Sequence, residues 1–214
     1  MPFPNINYHA PVPDTGHDAQ LPKGPRGMIT LLTRLGFLQQ EEMQGINNMI
    51  NLKEDILIRV NAYQEGDDLS RIFHRIQVWG GMGGRSIYVR NNGFVAENVL
   101  PFYHDLVNGC FPIQDITQNS LENVRDQIHL FNANVHNIGL SFITKHVYFW
   151  LHRNLGENAF PIYDSVLARG IMEQPVVREI DLVPYWQAMI GKAQMENISI
   201  ESLESHLFAY YRPF

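Results

Sequence analysis

The sequence contains a single cysteine, Cys110, among its 214 residues. An internal disulfide, a cysteine-rich zinc site and a four-cysteine iron–sulfur cluster all need more than one cysteine, so none of them can form. The chain also lacks an uninterrupted apolar run of about 18 residues, the length that a bilayer crossing requires. Its first residues lack the basic and apolar segments of a secretory signal. These absences predict a protein of the reducing cytoplasm with no membrane partner.

Regular structure is predicted only after an extended arm over residues 1–26, which are rich in proline, glycine, aspartate and asparagine without periodicity. The length and the 45% of hydrophobic residues predict one domain over 27–214, or two interlocked lobes that share a core. Apolar spacing predicts two or three helices between 28 and 63, interrupted near Gly36 and Gly45, and one helix that Asp67 and Asp68 begin. Further helices are predicted at 98–109, 120–133, 138–153, 165–172, 182–195 and 200–210. The fold class is therefore mainly α.

A short β-hairpin is expected between these groups of helices. After Trp79, residues 80–85 form a glycine-rich turn, residues 86–90 have a strand pattern, and Asn-Asn-Gly at 91–93 closes it. Four glycines can cradle a phosphate, but their spacing matches neither a P-loop nor a dinucleotide fingerprint. Nucleotide binding is therefore not expected, and no histidine, cysteine or acid cluster has the spacing of a metal site.

Acidic residues are absent from residues 69–96, although the whole chain carries a net charge of -6. The same segment contains five basic or titratable side chains: Arg71, His74, Arg75, Arg85 and Arg90. This distribution predicts a local basic patch that binds phosphate groups. The alternative is that these arginines are solvated or pair with the acidic remainder of the chain.

Lysine is scarce, with four in the chain, and Lys145 has an unusual setting. The helix at 138–153 directs Leu140, Ile143, Val147 and Trp150 towards a core. Its other side carries hydroxyls, one amine and one imidazole, namely Ser141, Thr144, Lys145, Tyr148 and His152. Partial burial should lower the pKa of the amine into a nucleophilic range. The alternative is a lysine whose stem covers apolar surface while its ammonium reaches water.

Asp164 stands directly before the helix predicted at 165–172, where its carboxylate can cap the first turn. The amides and the dipole of a helix N-terminus also keep a carboxylate ionised, and an ionised carboxylate can stabilise a developing cation. Both roles remain open at this point.

The run from Asn137-Ile138-Gly139 to Lys145, followed after nineteen residues by Asp164 in an Ile-Tyr-Asp-Ser-Val setting, resembles the 8-oxoguanine DNA glycosylases of the helix-hairpin-helix superfamily. It is most similar to the bacterial branch with the 8-oxoguanine glycosylase fold, and the similarity covers roughly residues 79–208. The resemblance implies a helix-hairpin-helix glycosylase-like domain. It also implies that Lys145 attacks C1′ of a flipped, modified nucleotide with assistance from Asp164.

The resemblance implies that the substrate is DNA with an oxidised or otherwise modified purine. A Schiff base on Lys145 would then permit β-elimination. No metal or organic cofactor is needed for this reaction. The candidates for contacts with the base are Trp79, Ser141, Tyr148, Tyr185 and Trp186, and those for phosphates are Arg85 and Arg90. Each aromatic residue could instead belong to the core. The rival hypothesis is a catalytically silent module of glycosylase shape that binds a protein partner in an antiphage defence or repair assembly. The acidic net charge favours this module, whereas the presence of both Lys145 and Asp164 favours the enzyme.

Overall fold

The computed structural model describes residues 3–12, 20–90, 93–174 and 176–211. Within these ranges the chain is mainly helical and contains no β-strand, which confirms the mainly α class. The α-helices are α1 (Lys23–Arg34), α2 (Met49–Ala62), α3 (Leu69–Gly80), α4 (Ser86–Val89), α5 (Ala96–Cys110), α6 (Gln118–Asn134), α7 (Leu140–Leu155), α8 (Ser165–Met172), α9 (Leu182–Glu196) and α10 (Ile200–Tyr211). Short 3-10 helices span Gln40–Met43, Gly81–Arg85, Gly156–Asn158 and Glu179–Asp181. Of the helices in the described ranges, none combines the length and apolar character of a membrane span.

Local sequence signals fix many of the helix ends. Asp68 begins α3 by accepting a hydrogen bond of 2.9 Å from the Ser70 N–H, and Thr117 and Ser120 cap α6 reciprocally. Helix α7 stops at Gly156, which has a φ of 58°, a conformation that glycine adopts without steric cost. Because these signals are local, the helices predicted from residue 98 onwards begin and end within two residues of the observed bounds.

Helix α7 lies at the centre of the fold and contacts α2, α3, α5 and α6. Its residues Ile143, Phe149, Trp150 and Leu151 have no exposed surface. The buried Trp150 indole donates a hydrogen bond of 2.7 Å to the Tyr103 hydroxyl of α5, so its polar group is satisfied in the core. One side of α7 therefore builds the core, and its polar side is held in a fixed orientation.

The predicted β-hairpin is wrong. Residues 81–89 form a 3-10 helix followed by α4, and the part of the prediction that falls on Asn91 and Asn92 lies outside the described residues. The described residues offer no second strand for pairing. The glycines serve close packing instead, because a Cβ added at Gly80 or Gly84 would lie only 2.3 Å or 2.5 Å from the Phe142 ring.

The predicted basic patch is smaller than the sequence indicated. Arg75 has no exposed surface, and its Nε donates to Asp55 Oδ2 at 2.9 Å. His74 is also buried, its Nδ1 lies 2.8 Å from the Tyr88 hydroxyl, and burial lowers its pKa to about 3, so it is uncharged. Both side chains face inwards because α3 packs against α1, α2 and α7.

Residues 3–12 of the predicted arm pack against α9 and α10. Tyr8 is buried, and the Lys192 ammonium of α9 lies 4.9 Å from the centre of its ring. The His206 Nε2 of α10 donates a hydrogen bond of 2.9 Å to the Ala10 carbonyl. The first helix begins at Lys23, within the predicted arm, and residues 13–19 lie outside the described ranges.

Candidate active site

The polar side of α7 faces charged groups from other helices. The Tyr148 hydroxyl donates a hydrogen bond of 2.6 Å to Glu201 Oε2 of α10. Lys53 of α2 forms an ion pair with the same carboxylate at 2.5 Å, and His152 Nε2 lies 3.9 Å from it. Two residues of the polar run identified in the sequence, Tyr148 and His152, therefore lie at an interface with α10 and α2.

Lys145 is partly exposed, and its ammonium is held by its own helix. Its Nζ donates to the Ser141 hydroxyl at 3.0 Å and to the Ser141 carbonyl at 3.2 Å, and it lies 4.9 Å from the centre of the Phe142 ring. Burial lowers the pKa of Lys145, while the negative charges of Asp164 and Glu204 act in the opposite direction. Lys145 nevertheless forms no ion pair with either carboxylate within 4.0 Å. The amine thus faces two acids without direct contact with them.

Asp164 caps α8, as one of the two predicted roles requires. Its Oδ1 accepts hydrogen bonds from the N–H groups of Val166 at 2.8 Å and Leu167 at 3.2 Å. The other oxygen, Oδ2, accepts no hydrogen bond from the described residues, and the side chain is partly exposed. Capping therefore uses one oxygen and leaves the second available to a reacting group.

The segment 161–163, which leads into Asp164, is bonded to α7, α9 and α10. From α9, Trp186 Nε1 donates to the Pro161 carbonyl at 3.0 Å, and the Tyr185 hydroxyl donates to the Ile162 carbonyl at 2.9 Å. The Ile162 N–H donates to Glu204 Oε1 of α10 at 2.9 Å. We call this segment the strap. These bonds set the position of Asp164 relative to Lys145.

Tyr185 and Trp186 are therefore placed in the core and not at a surface that a base could reach. Both have no exposed surface, and their polar groups are already bonded to the strap. Tyr148 is also buried, and its hydroxyl is engaged with Glu201. These three residues correct the prediction of a base-binding set, because buried aromatic rings with satisfied polar groups belong to the packed interior.

Trp79 and Ser141 remain partly exposed. The Trp79 ring packs edge-to-face on Phe149 of α7 with centroids 5.3 Å apart, and Ser141 accepts the hydrogen bond from Lys145. Of the five residues predicted to contact the base, these two keep accessible surface.

Arg85 and Arg90 are exposed, and neither forms an ion pair within the described ranges. Arg85 ends the 3-10 helix Gly81–Arg85, whose Gly83 and Gly84 pack against Phe142, the neighbour of Ser141. The described part of the chain also contains no group of three or more metal-ligating side chains.

Glu204 was missed in the sequence, although it is 6% exposed and stands in the same site. It lies among Ile200, Leu203 and Leu207, which are buried on α10 together with His206. An acid spaced three or four residues from these apolar positions is a signal that could have identified it.

Two surface pockets in the described part of the chain have linings that do not include Lys145. One, of about 550 Å³, is lined by Tyr63, Gln64, Glu65, Asn108, Phe111, Arg153 and Asn154. The other, of about 250 Å³, is lined by residues of α8 and α10, namely Val166, Arg169, Gly170 and Tyr211. Neither pocket includes the amine or the carboxylate of the candidate site.

No protein-family model, curated protein or solved structure matches this chain. Any functional proposal therefore depends on the arrangement of Lys145, Asp164 and Glu204.

Proposed function

We propose that the protein is a DNA N-glycosylase with β-lyase activity, in which Lys145 is the nucleophile and Asp164 its carboxylate partner. The observation that carries this proposal is a partly buried lysine, with a lowered pKa, that faces two acids and forms an ion pair with neither. A lysine held only for structure would normally pair with a carboxylate or extend into solvent. Burial favours the uncharged form of an amine, and the uncharged form is the nucleophile.

In the proposed reaction the free amine of Lys145 attacks C1′ of a modified purine nucleotide, and the bond from C1′ to the base breaks. Asp164 Oδ2 stabilises the positive charge that develops on the sugar, while Oδ1 stays bonded to the first turn of α8. Ring opening then gives an imine between Nζ and C1′, from which the 3′ phosphate can leave by β-elimination. These steps use only side chains of this chain.

The surroundings of Lys145 offer contacts for DNA phosphates. The N-terminus of α7 has no side-chain cap, so its first amides are open to an anion. Arg85 and Arg90 are exposed and unpaired within the described residues. Because α7 also carries Lys145, a phosphate bound at its start would lie within two helical turns of the amine.

Borohydride trapping tests the proposal directly. The protein is incubated with DNA that contains 8-oxoguanine, other modified purines or an abasic site, and borohydride reduces any imine to a stable crosslink. We expect a crosslink that mass mapping places on Lys145 and that Lys145→Gln and Lys145→Met abolish. Lys192→Gln is the matched control, since Lys192 is also partly buried but pairs with Glu196 on α9. A crosslink that survives the loss of Lys145 would identify a different nucleophile.

A catalytically silent interaction module is the second candidate. It is favoured by the net charge of -6, because a protein that binds DNA phosphates usually carries a basic surface. Absence of trapping across the whole panel, with DNA binding still measurable, would support this module.

A further inference from the structure

Ser141 supplies both of the acceptors that hold the Lys145 amine. The two residues are four apart on α7, and side chains of a helix point towards its N-terminus, so Lys145 reaches back to Ser141. Its Nζ donates to the Ser141 hydroxyl at 3.0 Å and to the Ser141 carbonyl at 3.2 Å. Among the described residues this amine has no further hydrogen-bond acceptor. Its direction therefore depends on one residue.

The Ser141 carbonyl is also connected to the segment that carries Asp164. The Thr144 hydroxyl donates to this carbonyl at 3.2 Å, and the Thr144 oxygen accepts a hydrogen bond of 3.2 Å from the Tyr163 N–H. Tyr163 is the last residue of the strap and directly precedes Asp164. Hydrogen bonds from the amine and from the strap therefore meet at the Ser141 carbonyl.

The Lys145 amine is restrained but accessible. Ser141 and Lys145 are both partly exposed, so a substrate can approach while the two hydrogen bonds are present. The Phe142 ring lies beside the amine, with its centre 4.9 Å from Nζ. A Cβ added at Gly139, the N-cap of α7, would meet no atom of the described structure within 4 Å, so the space beside the start of the helix is open.

We propose that Ser141 is the positioning residue of Lys145, and that its two oxygens fix the direction of the amine lone pair for attack on C1′. A free amine has two N–H groups and one lone pair, and each Ser141 oxygen can accept one N–H. The lone pair then points away from Ser141, towards the accessible side of the amine. This inference rests on the proposed function, because it requires an electrophilic carbon for the lone pair to attack.

The same hydrogen bonds become stronger during the reaction. The lone pair of Nζ forms the bond to C1′, and the electron pair of the C1′–base bond leaves with the base. The nitrogen keeps both of its hydrogen atoms and gains a positive charge, which the negative charge of the departing base balances. Its hydrogen bonds to Ser141 are then charge-assisted and exceed in strength those of the free amine. Ser141 therefore orients the nucleophile and stabilises the charge that the nucleophile acquires.

The order of the Lys145 side chain in the absence of DNA tests the restraint itself. The chain has four lysines, and ¹³C relaxation at each Cε reports the order of that side chain in either protonation state. Lys145 should be as ordered as Lys192, which pairs with Glu196, and more ordered than the exposed Lys23. Ser141→Ala should lower the order of Lys145 towards that of Lys23. Ser141→Thr is the matched control, because it keeps the hydroxyl and should keep the order.

The rate of borohydride trapping under single-turnover conditions tests the consequence for reaction. With DNA that contains an abasic site, Ser141→Ala should lower the rate at saturating DNA by roughly tenfold or more. The DNA concentration that gives half of this rate should not change, and Ser141→Thr should restore most of the rate. The charged groups that act on Lys145, Asp164 and Glu204, are the same in all three proteins. The difference should persist at about pH 9, whereas an effect through the pKa of Lys145 alone would shrink as the amine loses its proton.

The two measurements separate the possible failures. An unchanged Lys145 order in Ser141→Ala would overturn the proposal, as would equal trapping rates or rates that converge at high pH. A wild-type Lys145 as mobile as Lys23 would overturn it too, and this comparison needs no variant to fold. If the wild type forms no crosslink with any DNA while the relaxation result holds, the proposed function fails and the restraint of Lys145 by Ser141 stands.

Discussion

The Thr144 hydroxyl accepts a hydrogen bond of 3.2 Å from the backbone N–H of Tyr163. Thr144 precedes Lys145 on α7, and Tyr163 precedes Asp164 at the end of the strap. The immediate neighbours of the amine and of the carboxylate are thus joined directly, in a buried position. This bond ties the strap that ends before Asp164 to the helix that carries Lys145.

Thr144→Val should loosen this connection. Valine preserves the shape of the side chain but leaves the buried Tyr163 N–H without an acceptor, which should cost about 1 to 3 kcal/mol in the free energy of unfolding. Lys145 trapping should slow further than the fraction of unfolded protein explains. Urea unfolding and single-turnover trapping measure the two effects. Thr144→Ser, which keeps the hydroxyl, should retain most of both, and equal losses in the two variants would contradict this role for the hydrogen bond.

Asp164→Asn separates capping from charge. Asparagine caps a helix about as well as aspartate, so the free energy of unfolding should change by less than about 1 kcal/mol. Trapping should fall by about two orders of magnitude, because the charge that stabilises the developing cation is lost. The negative charge of Asp164 raises the pKa of Lys145, so a larger fraction of Lys145 should be unprotonated in the variant. Protonation of Lys145 therefore cannot explain the loss of trapping. A destabilised variant with undiminished trapping per folded molecule would assign Asp164 to the cap alone.

Glu204→Gln should change how stability depends on pH. The pKa of Glu204 is about 8 in the folded protein and near its ordinary value of 4.5 in the unfolded chain. Between these values unfolding releases a proton, so the wild type should lose stability as the pH rises, by up to about 1.4 kcal/mol per unit. The variant lacks this loss, and its stability relative to the wild type should increase from pH 4.5 to 8. Urea unfolding across this range is the measurement, and parallel curves would show that Glu204 is ionised throughout.

The double variant Arg85→Ala, Arg90→Ala tests the remaining basic surface. Both side chains are exposed, so folding should be unaffected. DNA affinity should fall regardless of sequence, and the slope of affinity against salt should decrease by about one unit for each lost phosphate contact. Fluorescence anisotropy in a salt series gives both quantities. Arg125→Ala on α6 is the control, since Arg125 pairs with its neighbour Asp126. Unchanged affinity and slope would remove Arg85 and Arg90 from the interface.

The sequence was informative about the helices because their ends depend on residues close by. Asp68, Thr117 and Gly156 act within a few residues of themselves, so the pattern predicts where α3, α6 and α7 begin or end. The segment 81–89 was mispredicted because glycine permits both a tight turn and a close helical contact. Phe142, which lies on another helix, decides between them, and no local pattern contains that information.

The candidate site was predictable in part for the same reason. Lys145 and Asp164 stand out by local context, whereas the burial of Glu204 depends on how α10 packs against the strap. Tyr185 and Trp186 were candidates either for the base or for the core. The Ile162 and Pro161 carbonyls, which accept their hydrogen bonds, hold them in the core. The resemblance to the helix-hairpin-helix glycosylases stays a prediction.

Phe142 connects the glycine-rich segment 80–84 to the surroundings of the Lys145 amine. Lys145 Nζ lies 4.9 Å from the centre of the Phe142 ring, and the same ring leaves no space for a side chain at Gly80 or Gly84. A methyl group added to either glycine would displace the Phe142 ring and change its contact with the Lys145 ammonium. Substitutions at Gly80 or Gly84 should therefore change the reactivity of an amine some sixty residues away, and a selection for the proposed activity should recover these glycines together with Lys145.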